Sequence, residues 1–425
     1  MKHSPAILFV CAILFLSLII QIHDFSPFGR FTNSILASFP PARYAYIWFP
    51  ELILMGGCIN LYRKEGGRFW LALLCFSFLF TCSYTLTLYS QYLYIPHLQY
   101  GYALLGLPAV YVSARTPKNR KLFLWFLAGV AMYEGLFGIG QTISWSYFGR
   151  EFPAWLGWLK PLKFFYLHDG SQYHQEIIRV TGTLNDPNNY GVFLVLCGGA
   201  SVPLYLSIHS RWKTIVLACI HTLTGLGIYY SFSKSAWIAS GIFILLASAQ
   251  FWKKINRTVV FMVIAGAALF CALEYEHVSK RISSFDTESA SNSARIVALQ
   301  TSMAMLKDHP FFGIGVGRFY EYFDQYRPAD YEESRFFSMN SHLQLLVETG
   351  MVGFLFYAVL IFAVFYSCIR SYLAGNQEAF LFAAILLAVC INGIFSHMLI
   401  IFPMSLYFWS LLGLIYARCY HPDSV

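Results

Sequence analysis

Residues 338–369 read SMNSHLQLLVETGMVGFLFYAVLIFAVFYSCI, a polar lead that turns within a few positions into an apolar run. From Leu343 to Ile369 the only charged residue is Glu348. A helix over that stretch is about 40 Å long at 1.5 Å per residue, more than the roughly 30 Å hydrocarbon thickness of a bilayer. It predicts a membrane-spanning helix entered from a polar loop. Ser341 and Gln344 have the spacing of a capping box, with His342 in the first turn.

Apolar runs of this grade recur along the chain. Of its 425 residues 57% are hydrophobic and only 12% charged, with 40 Phe. So much apolar surface needs an apolar surrounding larger than one soluble core. Runs suited to crossing a membrane fall near 6–20, 44–62, 69–89, 97–113, 122–144, 190–208, 213–231, 234–252, 258–274, 343–369, 379–396 and 398–417. The expected fold class is all-α: a single polytopic membrane domain over 1–425, with about 12 transmembrane helices. The first run has Lys2 before it and no small-residue cleavage site after it, so it is expected to be a retained span. Basic connections, YRKEGGR, RTPKNRK, SRWK and KKINR, alternate with uncharged ones. The positive-inside rule puts them in the cytoplasm, which makes the net charge of +8 a topology signal and argues against nucleic acid as a partner. The ten cysteines include no C-x-x-C pair and no Cys/His cluster, and read as small core residues.

Two connections, 145–189 and 275–342, are far longer than the rest, and the alternation puts both on the outer side. They are rich in aromatics, among them Trp155, Trp158, Phe164, Phe319 and Phe323, which argues for ordered structure, and the second is expected to be partly helical. Three helix entries border them. In GTLNDPNNYGVF, Asp186 is a good N-cap and Pro187 suits the first helical position. SFSKSAW offers Ser233 as a cap followed by Lys234, and SHLQ opens the third. Their partly positive ends all face outward, where an anion is stabilised.

Charge sharpens that expectation. Arg179 precedes the first entry, Lys234 opens a span, and Arg295 lies in SNSARIVALQ, whose apolar spacing predicts an amphipathic helix on the outer face. Arg grips phosphate with two parallel hydrogen bonds and Lys acts as a point charge, so together they point to a phosphorylated ligand. At a helix N-terminus His342 is kept neutral and able to accept a proton. Glu348, about two turns further in, can satisfy a neighbouring polar group or a cation. Asn188, Asn189 and Asn340 suit sugar hydroxyls and suit helix caps equally well. GIGVGRF at 313–319 lacks the G-x-G-x-x-G spacing and reads as a tight turn and packing site. EYEH at 274–277 does not have the spacing of a recognised metal site. Asp24 has only its place in the first outer loop to mark it.

The ordered series RVTGTLNDPNNYGVFL, YYSFSKSAWIAS, SARIVALQTSMAMLKDHPFFGIGVGRF and NSHLQLLVETGMVGFL, over residues 179–370, resembles the superfamily of O-antigen ligases and O-antigen polymerases, bacterial envelope glycosyltransferases. Two positions depart from its pattern: Ser233-Lys234-Ser235 stands where the family usually has Ser-Arg-Gly, and His342-Leu343 where it commonly has His-Asn. The resemblance implies a multi-pass protein of the bacterial inner membrane. Its active site would face the periplasm and move a glycan from undecaprenyl pyrophosphate to an acceptor glycolipid or glycan, with no cofactor or required metal.

The residues fit that chemistry. A pyrophosphate leaving group needs its developing charge neutralised, here by Arg179, Lys234 and Arg295, and the acceptor hydroxyl needs a base, here His342. Direct displacement at the anomeric carbon inverts configuration. A ligase acting on lipid A-core is the leading expectation, and a polymerase extending a lipid-linked repeat is the alternative. A twelve-span secondary transporter is the reading from another class, but it favours similar halves and mid-membrane charges.

Overall fold

The computed structural model describes residues 5–22, 40–87, 101–148, 165–167, 177–184, 186–251, 290–329, 331, 337–398 and 400–421. The span expected at 258–274, most of the loop 145–189, the first part of 275–342, the KKINR connection, Asp24 and EYEH lie outside them.

The described chain is helical apart from one small ribbon. Its elements are α1 (Pro5–Ile22), α2 (Pro40–Glu65), α3 (Arg68–Thr87), α4 (Gly106–Ser113), α5 (Pro117–Phe148), β1 (Phe165–Leu167), β2 (Ile177–Arg179), α6 (Pro187–Ser201), α7 (Leu204–Ser207), α8 (Arg211–Tyr230), α9 (Lys234–Phe251), α10 (Ala290–Asp308), α11 (Phe319–Tyr326), α12 (Ser341–Leu373), α13 (Gln377–Gly393) and α14 (Met404–Tyr420). The strands pair antiparallel, Phe165 opposite Arg179, a small ribbon in an otherwise helical chain that keeps the all-α class expected. Residues 275–342 carry α10 and α11. Among the described residues three helices are long and apolar enough to cross a membrane: Pro117–Ser144, Pro187–Ser207 and Ser341–Leu373. Shorter apolar helices cover Pro5–Leu18, Arg68–Ser83, Gly101–Ser113 and Gln377–Gly393. The runs expected at 379–396 and 398–417 are separated by a ten-residue connection, 394–403, because α14 begins only at Met404.

The architecture centres on α6, which is apolar on all sides and buried at every position except Asn188. It packs against α5, α8, α9 and α13. Lipid is as apolar as leucine, so close packing rather than water exclusion holds such helices together. Gly198 and Gly199 let α6 approach that closely, since a Cβ on them would collide with Thr224 and Ile385 respectively.

Two features orient the bundle. At one end the basic connections are tied together: Arg115 pairs with Glu65, Lys121 Nζ donates to the Ser207 carbonyl at 2.9 Å, and Arg418 Nε pairs with Glu378 at 2.6 Å. Starting at that end, α5 carries Glu134 and Gln141 toward the opposite one.

The second feature is a break in α12 at Gly350, where φ is +67°. The ladder bonds lost there are replaced by the chain at 310–315. Ile314 N donates to Val347 O and Gly315 N to Glu348 O, both at 3.0 Å, while Met351 N donates to Pro310 O at 2.8 Å and Val352 N to Phe311 O at 3.1 Å. Each freed backbone group thereby finds a partner, and the GIGVGRF turn is fastened to the helix.

Candidate active site

The GTLNDPNN entry is shaped by α5. Gln141 Oε1 accepts from the Thr181 and Gly182 amides, both at 3.0 Å, and its Nε2 donates to the Gly182 carbonyl at 3.1 Å. Glu134 accepts from the Thr183 amide at 3.0 Å and also from the Thr183 hydroxyl. Gly182 has φ +55° and lies against Tyr190 and the Glu134 carboxylate, with no room for a side chain. Seven residues apart, Glu134 and Gln141 share a face of α5, two turns separated, and together hold the turn that delivers α6. Asp186 then caps α6, its Oδ1 accepting from the Asn189 amide at 2.8 Å, with Pro187 next, as the sequence predicts.

Cationic side chains gather at this helix head. Arg179 closes β2 and bridges two elements, Nε donating to the Ser231 carbonyl at 3.0 Å and a terminal nitrogen to Asn188 Oδ1 at 2.9 Å. Lys234 opens α9, whose cap is Ser233, its Oγ accepting from the Ala236 amide at 3.4 Å. The Ser231–Ala236 turn packs on Gly191, one turn along α6 from Asn188, so closely that a Cβ on Gly191 would touch Ala236 and Ser231. Arg295, on α10, donates to the Phe395 carbonyl at 3.0 Å. Burial draws its pKa below the usual arginine value and the nearby Asp186 carboxylate opposes that shift. It remains a cation at any physiological pH.

An imidazole that the sequence reading did not single out completes the cluster. His397 lies in the 394–403 connection, its Nε2 3.5 Å from Asn189 Nδ2 and its ring stacked on Phe337 with centroids 4.6 Å apart. Burial lowers its pKa, the Asp186 charge raises it and that of Arg295 lowers it. His397 Nδ1, Asn189 Oδ1 and Asn392 Nδ2 are buried and have no hydrogen-bond partner among the described residues. Buried polar atoms are rarely left so.

The head of α12 adjoins this connection. Ser341 donates from its amide (2.8 Å) and hydroxyl (2.7 Å) to the Ser396 carbonyl. The expected Ser341–Gln344 capping box is shifted by one residue: Asn340 is the cap, its Oδ1 accepting from the Leu343 amide at 3.0 Å, and Gln344 reaches back to the Ser338 amide at 3.0 Å. Ser341 is taken by Ser396, which leaves the cap to its neighbour.

His342 points elsewhere. Its Nε2 is 2.8 Å from the Cys390 carbonyl and its Nδ1 3.1 Å from the Tyr357 hydroxyl, in a gap that Gly393 leaves open. A carbonyl only accepts, so Nε2 carries the proton and Nδ1 accepts from Tyr357. Glu348 is buried, bonded to Gln344 Nε2 at 2.9 Å and to the Gly317 and Phe319 amides. The structure thus brings Arg179, Asn188 and Arg295 together around the head of α6, with Lys234 on the adjoining turn and Asn340 joined through Ser341 and Ser396. It puts His342 and Glu348 into contacts that hold α12 to α13 and to the 313–319 turn.

No curated protein matches the chain. Residues 217–358, from α8 to α12, match the family model described as O-antigen ligase, a region that includes Lys234, Arg295, Asn340, His342 and Glu348. Over those residues the chain is similar to the O-antigen ligase family, the resemblance the sequence motifs carry.

Proposed function

We propose that this protein is a glycosyltransferase of the bacterial inner membrane that moves a glycan from undecaprenyl pyrophosphate to an acceptor hydroxyl, on lipid A-core or a similar glycolipid, at the periplasmic face. The observation that carries the proposal is the head of α6, where Arg179 bonds Asn188 and Arg295 lies near Asp186 and His397, with Lys234 opening the adjoining helix and with Asn189 Oδ1 and His397 Nδ1 buried without partners among the described residues. The helix end and these cations suit a pyrophosphate, and Asn188, Asn189 and Asn340 supply amides at sugar height. The topology proposed with it is about twelve spans, the basic connections cytoplasmic and both long loops periplasmic.

In the reaction the acceptor oxygen attacks the anomeric carbon as its proton passes to an imidazole. The bond from that carbon to the pyrophosphate oxygen breaks, and undecaprenyl pyrophosphate leaves with its charge held by the three cations. Configuration inverts and no metal is required. The base assigned by sequence is His342; the geometry supports His397 better. His342 already spends both ring nitrogens on Cys390 and Tyr357, whereas His397 Nδ1 has no partner among the described residues and is the nitrogen that takes the proton once Asn189 turns its Oδ1 to accept from Nε2–H. Glu348 is assigned to holding α12 rather than to binding sugar.

The test uses purified full-length protein in lipid nanodiscs, supplied with an undecaprenyl-pyrophosphate glycan and either lipid A-core or nothing further, with products read by mass. One transfer that requires the core lipid is expected. A carrier-bound ladder from donor alone would make the protein a polymerase, and absence of any new glycosidic bond would remove the transferase reading.

A further inference from the structure

A helix on a water-facing surface shows polar residues outward and apolar residues inward. Helix α10 does largely the reverse, Gln300 being the one exposed polar residue between Ile296 and Met303. Ile296, Leu299 and Met303 are 46%, 50% and 52% exposed, whereas the inward face is made of Ala294, Ala298, Thr301, Ser302 and Met305. The inward Ser302 has to satisfy its hydroxyl on its own helix, donating to the Ala298 carbonyl at 2.6 Å. No charged residue lies between Arg295 and Lys307.

This outward stripe does not end with the helix. Past Asp308 the chain presents Phe311 and Phe312, 63% and 65% exposed. The backbone bonds from Met351 and Val352 to Pro310 and Phe311 fasten this corner to α12, at the turn where exposed Met351 begins a stripe that continues through Leu355, Phe362, Tyr366 and Ile369. That stripe belongs to a helix long and apolar enough to cross a membrane. The exposed face of α10 is therefore continuous with a surface that faces lipid.

We propose that α10 and the Phe311–Phe312 corner lie immersed in the outer-leaflet boundary between headgroups and acyl chains, with the apolar stripe against the chains and Arg295 and Lys307 at headgroup level. The partner is the bilayer itself. An isolated apolar patch on a soluble face would suggest another protein, but continuity with a spanning helix selects lipid. The Arg295 bond to the Phe395 carbonyl then ties the immersed helix to the connection that carries His397.

The test is photocrosslinking of the full chain in nanodiscs of phosphatidylethanolamine and phosphatidylglycerol, with Leu299→p-benzoylphenylalanine, Met303→p-benzoylphenylalanine and Phe312→p-benzoylphenylalanine made singly. Phe362 labelled in the same way sets the level expected in lipid and Gln325, on α11, the level expected in water. Lipid adducts at all three positions near the Phe362 level are expected. Adducts at the Gln325 level, crosslinks to a second copy, or crosslinks to residues 252–289 of the same chain would each overturn the proposal. So would lipid capture at Phe312 alone, since it would leave α10 dry. The readout needs no transferase activity and stands or falls apart from the proposed reaction.

Discussion

The first half of α12 and the head of α6 are neighbours built on opposite principles. Around α12, Glu348, Gln344, His342 and the four backbone bonds across the Gly350 break spend their polar groups on protein partners. At α6, three buried polar atoms from Asn189, Asn392 and His397 have no partner among the described residues, while cations crowd around them. A satisfied network stabilises a fold, and an unsatisfied one is kept where something else must bind. Substitutions in the first region should therefore cost stability, and those in the second should cost activity.

The two histidines give the sharpest contrast. His397→Ala should lower transfer by about 10² to 10⁴, the usual contribution of a positioned base. Its melting temperature should fall only by what the Phe337 stacking and the long Asn189 contact contribute, since Nδ1 has no partner among the described residues. His342→Ala should instead lower stability by about 1–3 kcal/mol, removing the buried bonds to the Tyr357 hydroxyl and the Cys390 carbonyl. The protein that remains folded should still transfer glycan. Product formation and thermal unfolding on the same samples check both, and the reverse pattern would return the base to His342.

Much of this contrast was legible in the sequence and some of it was not, for a physical reason. Asp186 and Ser233 cap through bonds to amides three positions on, and Pro187 acts through its own fixed φ, so their roles are as read. Arg179 and Asn188 share the first entry and meet there. His342 shows only its position in a first turn, whereas its orientation depends on Tyr357 and on Cys390, 48 residues distant. His397 was hidden because the apolar runs 379–396 and 398–417 leave it as the single residue between two spans. Glu134, a charge within an apolar run, carried a usable signal, since such residues almost always have a specific partner; that the partner is Thr183 needed the fold.

A further test separates the regions at the phosphate. Arg179 divides its donors between the Ser231 carbonyl and Asn188 Oδ1, a fork that an ammonium cannot reproduce. Arg179→Lys should raise the donor KM by about tenfold, equivalent to about 1.4 kcal/mol, with kcat less affected. Glu348→Gln keeps the shape but puts an NH2 donor in place of one of the carboxyl oxygens that accept from Gln344 and the Gly317 and Phe319 amides. It should lower stability by about 1–2 kcal/mol and leave KM unchanged. A shift in KM for Glu348→Gln would place that carboxylate in the donor site after all.

The smallest expected effect concerns pH and isolates one charge. Burial, the largest cause, holds the His397 pKa below the ordinary 6.5, so the ring stays neutral and able to take a proton as pH falls to and below that value. The acid limb of the pH–rate profile should accordingly lie below 6.5. Asp186 opposes this shift by favouring the imidazolium, and Asn caps a helix as well as Asp does. Asp186→Asn should therefore keep α6 capped and the melting temperature close to that of the parent, while the acid limb of kcat/KM moves to still lower pH. Arg295→Gln, which removes a charge that disfavours the imidazolium, should move it the other way. Equal limbs in all three proteins would mean that the group titrating in the rate is not His397, because no imidazole can lose either neighbour without its proton affinity changing in the stated direction.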